Sequence, residues 1–379
     1  MKIVFTGGST GGHFYPIIAV VEAIEAIAEE KKLLEPELYY IGPKPFDAAA
    51  LAEHDITYVP AAAGKTRRYF SLLNVLDAFK TAWGVMQTTL LLFRLYPDVI
   101  FSTGSFAAFP TLLSARMLGI PAVIYDADSK PGRVSLWSAR FARWIALAHQ
   151  DAALHFSEKV RERIARVGHP IRKEIEEPAA EGGHEFLKLD ASVPTLLVMG
   201  GSQGARAINE TLLDALPLLI DRYNVIHQAG AQNLAEVAGL ARVILHGSPH
   251  EGRYRAFGLL NTLAMRMSAG VSSLVIARAG SGTIFEIASW GMPSILVPLP
   301  LDVSHDQTEN AFSYARAGAA AVLEQRNLTP HLLVAEVDRI MSDEALRARM
   351  SKAAKEYARP GAARKIAEIL IETALAHHA

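Results

Sequence analysis

Apolar residues fall along this chain in two alternating rhythms. Short unbroken runs rich in Val, Ile and Leu read as strands buried on both faces. They are KIVFT, LYYIG, DVIFST, AVIYD and WIALA in the first half, and TLLVMG, YNVIHQAG, SSLVIAR and SILVP in the second. Between several of them lie longer amphipathic stretches with helical spacing, the first being FYPIIAVVEAIEAIAEEKKLL. This alternation predicts an α/β protein built on doubly wound parallel sheets.

The rhythm also starts twice. KIVFTGGSTGGHFYPIIAVVEAI and TLLVMGGSQGARAINETLLDAL share one grammar: strand, Gly-Gly-Ser, helix opening, amphipathic helix. Between them Arg166–Pro194, rich in charge, Gly and Pro, reads as a linker. Two Rossmann-like domains facing a cleft are therefore expected, with one large sheet carrying insertions as the alternative. A length of 379 residues suits two cores. The net charge of −1 argues against a general nucleic-acid binder, which needs a basic surplus. The chain has no cysteine, which excludes disulfides and thiolate metal sites. The N-terminus lacks the apolar core of a signal peptide, and no window reaches ~18 uninterrupted apolar residues. The best apolar candidate is Thr81–Phe93. The protein is read as soluble or lying on a membrane.

A strand that ends in glycines and opens a helix presents unpaired N–H groups at the positive end of the helix dipole, a place for phosphate. The first such loop, TGGSTGGH, matches neither a Walker motif nor a strict GxGxxG, and a merely tight turn would look the same. His13 closes it in the first helical turn, where an imidazole suits a general base, or only caps something local. RAGSGTIFEIASW repeats the pattern, with Glu286 about one turn into its helix, able to accept both hydroxyls of a ribose or simply to be solvated. SHDQTENAF groups amides and carboxylates that suit sugar hydroxyls, and a metal site there lacks a third ligand. Asp126 and Asp128 in YDADSKPGR read as polar lining after a strand rather than as metal ligands. Arg172, in GHPIR, either meets a diphosphate or is solvated. Finally, Gly64–Arg94 carries five basic residues and one acidic one among large apolar side chains. Its earlier part, with Arg67, Arg68 and Phe70, suits either an anionic lipid surface or a helix pair, and Val85–Phe93 is expected to be core.

TGGSTGGH, GGSQGARAIN, RAGSGTIFEIASWGMPSILVP, HDQTENA and YARAGAAAVLEQRNLTP together resemble the MurG family of bacterial glycosyltransferases, of glycosyltransferase family 28. The resemblance runs along nearly the whole chain. It implies a GT-B fold with an acceptor and membrane-docking domain at 1–166, a UDP-GlcNAc-binding domain at 167–350, and a helix at 351–379 returning to the first domain. It implies an inverting transfer of GlcNAc from UDP-GlcNAc to the MurNAc 4-hydroxyl of undecaprenyl-linked lipid I, giving lipid II for the cell wall, with no metal or other cofactor. The enzyme would sit peripherally on the anionic inner membrane, at its cytoplasmic face.

Carried over by residue, the resemblance puts Ser202, Gln203 and Arg172 at the donor diphosphate and Glu286 at the ribose. Ser281, Gly282, Thr283, Gln307 and Asn310 would surround the GlcNAc and phosphates, and the uracil-binding backbone would lie near Leu260–Leu263. Thr10, Gly11 and Gly12 would close on the donor, with His13 as the base. Arg67, Arg68, Phe70, Leu73 and Trp83 would dock on lipid. Two departures stand out. The family's His-Glu-Gln-Asn is Tyr125-Asp126-Ala127-Asp128 here, so Asp128 would replace an Asn at the sugar, and Gly-Asn-Pro is Gly168-His169-Pro170. Other readings are a related lipid glycosyltransferase with another acceptor, a UDP-GlcNAc 2-epimerase, and a non-catalytic nucleotide-sugar binder.

Overall fold

The computed structural model describes residues 1–8, 10–64, 73–201, 204–301 and 305–377; the side chains of residues 73, 74, 305 and 306 lie outside that description. The chain divides into two compact units, Met1–Arg172 with Pro360–Ala379, and Lys173–Arg359.

The first unit is a seven-stranded sheet of β1 (Lys2–Thr6), β2 (Glu37–Gly42), β3 (Thr57–Pro60), β4 (Val99–Ser102), β5 (Ala122–Asp126), β6 (Trp144–Leu147) and β7 (Ile164–Arg166). Its order is β3-β2-β1-β4-β5-β6-β7, and every pairing is parallel. The second holds β8 (Thr195–Met199), β9 (Asn224–Gln228), β10 (Tyr254–Phe257), β11 (Ser272–Ala277), β12 (Ser294–Leu296) and β13 (Ala320–Val322), in the order β10-β9-β8-β11-β12-β13, again all parallel. Both sheets are doubly wound, and each reverses its winding next to its first strand, at β1/β4 and at β8/β11. A crevice at the carboxyl ends of the strands is expected at such a reversal.

The helices that matter for the site are α1 (Gly11–Glu30), α2 (Leu73–Leu95), α3 (Ser105–Leu118), α4 (Arg206–Leu219), α5 (Thr262–Val271), α6 (Ser281–Trp290), α7 (His305–Arg316), α8 (Glu344–Ala358) and α9 (Ala362–Ala376). Their apolar stripes follow the helical repeat. On α4, Ile208, Leu212, Leu216 and Leu219 pack with Val198, Val225 and Ile276 of the second sheet. The final helix α9 belongs to the first unit, where it lies on α1 and Arg364 Nη2 pairs with Glu30 Oε2 at 2.8 Å.

Three sequence expectations need correction. Arg166–Pro194 is not a free linker: Arg166 ends β7, and the segment carries short helices at Lys173–Glu176 and Gly183–Leu187. Trp290 Nε1 donates to Ile175 O at 2.9 Å, tying it to the second unit. The units also divide at 172/173 and 359/360, because α8 packs on α6 and only the residues after it join the first unit. Finally, among the described residues the helix long and apolar enough to cross a membrane is α1, not Thr81–Phe93. Ten of its residues, from Phe14 to Ala28, are buried inside the first unit, so it is a core helix.

Candidate functional site

In the first unit, the loops after β1 and β4 meet at the reversal of the sheet, where Thr6 pairs with Ser102. Thr10 is the N-cap of α1, and its carbonyl accepts from the N–H groups of His13 (3.1 Å) and Phe14 (3.0 Å). His13 thus stands in the first turn, half-buried. Its Nδ1 lies 2.8 Å from the carbonyl oxygen of Thr103, and Thr103 Oγ1 donates back to the His13 carbonyl at 2.8 Å. A carbonyl can only accept, so the neutral ring carries its proton on Nδ1 and keeps its lone pair on Nε2. That is the tautomer a base at Nε2 requires.

The glycines of this loop serve two purposes. A Cβ at Gly7 would run into Thr103 Oγ1, and one at Gly8 would come within 2.8 Å of His13 Cδ2, so both are glycine for packing. A Cβ on Gly12 would meet nothing within 4 Å. Its openness is not demanded by the fold and leaves room for a ligand beside the helix N-terminus. The partner loop, Ser-Thr-Gly-Ser at 102–105, turns sharply, with φ of 79° at Gly104 and 72° at Ser105. A non-glycine residue there is strained, and strain of this kind gathers at functional turns. The sequence reading passed over this loop, although a Thr-Gly-Ser after an unbroken apolar run is the same strand-to-helix signal used elsewhere.

Next along the edge, Asp126 is buried and accepts from the N–H groups of Asp128 and Gly132, each at 3.1 Å. It holds the Asp128 turn, and burial, helped by the Asp128 charge, lifts its carboxyl to about 7. A carboxyl raised in the fold favours the folded state most when protonated, and that advantage is lost as pH rises through about 7. Asp126→Asn should therefore melt closest to the wild type near pH 8 and fall furthest behind it near pH 4; melting curves across that range check this.

The two departures noted in the sequence touch one another: Tyr125 Oη lies 2.6 Å from His169 Nδ1, both buried. Burial raises the Tyr125 phenol well above its usual range and pulls His169 down to about 3, with His149 and His13 adding to the latter. The tyrosine therefore donates and the neutral imidazole accepts. Arg172, which ends this unit, stacks its guanidinium 4.2 Å from the centre of the Tyr15 ring.

In the second unit the equivalent reversal brings the loops after β8 and β11 together, Met199 pairing with Ala277. Gly201 and Gly204 adopt φ of 80° and 77°, values that favour glycine, and α4 starts at Arg206. Ser202 and Gln203 lie outside the described residues. Gly280 caps α6 with an ordinary φ of −66°, and a Cβ there would meet nothing within 4 Å, the same openness seen at Gly12. Ser281 is buried, whereas Gly282, Thr283 and Glu286 are half-buried along the first turns of α6. Burial also lowers the guanidinium of Arg278, whose Nη1 donates to Val297 O at 3.0 Å. Gln307 Oε1 accepts from Leu299 N at 3.1 Å, which commits the oxygen to the loop and leaves the amide N–H groups for other partners. Asn310 is fully buried on α7. Near the expected base site, Leu260 N is taken up by Gln228 Oε1 at 3.1 Å, while Leu259 and Leu263 are exposed.

Of the docking residues, Arg67, Arg68 and Phe70 lie outside the described residues, as does the side chain of Leu73. Trp83 is exposed on α2. The expectation that Val85–Phe93 is core fails for its largest members: Leu92 is buried, but Met86, Leu90 and Phe93 are exposed. The reason lies in what the helix packs with. Its inner face carries Gly84, Thr88 and Leu92, and Thr88 Oγ1 reaches Ser114 Oγ on α3 at 2.8 Å. A Cβ at Gly84 would collide with the Ala62 carbonyl. Small residues face inward, so the large ones face out.

Two doubly wound parallel sheets, each with an open glycine at a helix N-terminus on its reversal, make up a GT-B fold. Residues 3–147 match the glycosyltransferase family 28 N-terminal domain and residues 195–366 the family's C-terminal domain. The chain is 32% identical to a UDP-N-acetylglucosamine–N-acetylmuramyl-(pentapeptide) pyrophosphoryl-undecaprenol N-acetylglucosamine transferase of Treponema denticola, over 88% of this chain and 86% of that one. It is also 32% identical to the protein of that name from Halothermothrix orenii, over 99% of both chains. Its fold superposes on the crystal structure of Acinetobacter baumannii MurG with a TM-score of 0.74 at 22% identity, covering 98% of this chain and 99% of that one. The chain belongs to glycosyltransferase family 28, within its MurG group.

Proposed function

We propose that this chain moves GlcNAc from UDP-GlcNAc to the 4-hydroxyl of MurNAc in lipid I, making lipid II for peptidoglycan. The observation that carries the reading is His13, whose Nδ1 is committed to the Thr103 carbonyl at 2.8 Å, leaving Nε2 to take a proton. The acceptor hydroxyl gives its proton to Nε2 while its oxygen attacks the anomeric carbon. The bond from that carbon to the diphosphate oxygen breaks with inversion, and UDP departs with the electron pair. Backbone N–H groups at the starts of α4 and α6, with Ser202 and Arg172, stabilise the charge that develops on the leaving diphosphate. Glu286 receives the ribose hydroxyls, and Gln307 with Ser281–Thr283 receives the sugar. Asp126 is occupied as a turn cap, and in this reading the transfer uses no metal or other cofactor.

Peripheral association with the anionic cytoplasmic face of the membrane belongs to the same proposal. Its support is the outward face of α2, where Phe79, Trp83 and Phe93 are 71%, 55% and 69% exposed, with Lys80 and Arg94 on the same helix. The function is tested by following UDP release with and without a soluble lipid I analogue. Release that depends on the analogue agrees with the proposal. Release that is equally fast without it, accompanied by a change in the sugar of the donor, is epimerase behaviour and rejects it.

A further inference from the structure

Beneath the glycine loop of the second unit runs a line of buried polar side chains that the proposed chemistry does not use. Tyr254 Oη lies 2.8 Å from His227 Nδ1, His227 Nε2 lies 3.0 Å from Asn209 Oδ1, and Asn209 Nδ2 donates to the Ala229 carbonyl at 3.0 Å. All three side chains are more than nine-tenths buried. The direction of every bond follows from its last member. The Ala229 carbonyl can only accept, so Asn209 spends its amide there and offers its oxygen to His227. His227 therefore carries its proton on Nε2 and accepts the Tyr254 hydroxyl on Nδ1. Burial pulls this imidazole down to about 4, consistent with a neutral ring.

The line ends under the loop. Asn233 Nδ2 donates to the same Ala229 carbonyl at 3.0 Å, and a Cβ on Gly204 would collide with both that carbonyl and the Asn233 amide. Gly200 N donates to the Gln228 carbonyl at 3.2 Å, on the strand that bears His227. Asn209 itself lies in the first turn of α4, directly after the loop. A strand buried on both faces gains as much stability from Val or Leu as from a satisfied polar line, and each unmet polar atom in such a line costs free energy. What the polar line adds is a fixed geometry between β10, β9, the loop and the start of α4.

We propose that Asn209, His227 and Tyr254 are positioning residues that hold Gly200, Gly204 and the start of α4 in place for the diphosphate of the nucleotide donor. The inference rests on the reading of that loop as the diphosphate site. The test compares two probes by titration calorimetry on the full chain, UDP and uridine, which share the base and ribose and differ in the diphosphate. Tyr254→Phe keeps the ring, and its loss reaches the loop only through the relay. It should weaken UDP by about three- to tenfold and leave uridine within about twofold, and Asn209→Leu should weaken UDP further. Ser202→Asp, which puts a negative charge in the loop, serves as the control and should weaken UDP far more than uridine. If Ser202→Asp discriminates but Tyr254→Phe changes neither probe, or both equally, the relay is not a positioning device and the loop reading stands. If no variant discriminates, the loop reading fails and takes the relay with it.

Discussion

Alanine in place of His13 is expected to lower kcat by about 10²–10⁴-fold, the span usual for loss of a general base. UDP affinity should hardly change, because His13 is proposed to meet the acceptor hydroxyl and not the nucleotide. The expectation comes from two bonds. Thr103 fixes the ring through its backbone carbonyl at 2.8 Å and locks the helix start through its hydroxyl at 2.8 Å. Thr103→Val removes only the second bond and keeps the carbonyl, so its loss should be about tenfold or less. Activity within tenfold of the wild type, with UDP affinity and melting temperature intact, would assign the base elsewhere.

A triple change of Phe79, Trp83 and Phe93 to serine is expected to cut binding to anionic phospholipid vesicles by at least about 10²-fold. Each large side chain that leaves water for the interface contributes up to about 1.5–3 kcal/mol, and three together account for a loss of that order even with partial insertion. Leu76, Phe79, Trp83, Met86, Leu90 and Phe93 follow one another at three- and four-residue steps, so they form a single exposed stripe. The core should not suffer, because the inner face of α2 is Gly84, Thr88 and Leu92. Co-sedimentation with vesicles containing phosphatidylglycerol measures the effect, and transfer to a soluble acceptor analogue should continue in the variant. Undiminished vesicle binding would place the membrane contact off this helix.

Much of this was legible in the chain itself. All nine strands read from unbroken apolar runs are present, and they are the inner strands of both sheets. The four that escaped notice, β3, β7, β10 and β13, are the four sheet edges. An edge strand has fewer neighbours to bury it, so TYVP, IAR, YRAF and AAV mix polar, small and half-exposed residues and lack the inner strands' signature. At the candidate site, the motifs placed His13 in the first turn of its helix and Glu286 about a turn into the helix after a glycine loop, and both stand there. The geometry was illegible where it rests on contacts distant in sequence. Nothing near Thr103 announces that its carbonyl faces His13, ninety residues earlier. The Tyr125–His169 bond likewise turns two departures that looked independent into one contact. For α2, size misled: large apolar residues suggested core, whereas a neighbouring carbonyl and a serine demanded small ones.

Sugar transfer to a lipid-linked acceptor can be read in one assay. The full chain, given UDP-GlcNAc labelled in the sugar and a lipid I analogue, should yield a lipid product carrying the label in β-linkage at the MurNAc 4-hydroxyl, with one UDP released per sugar transferred. Label that stays in the nucleotide-sugar pool while His13 is intact, or a product of retained α configuration, would rule out inverting transfer to lipid I by this chain.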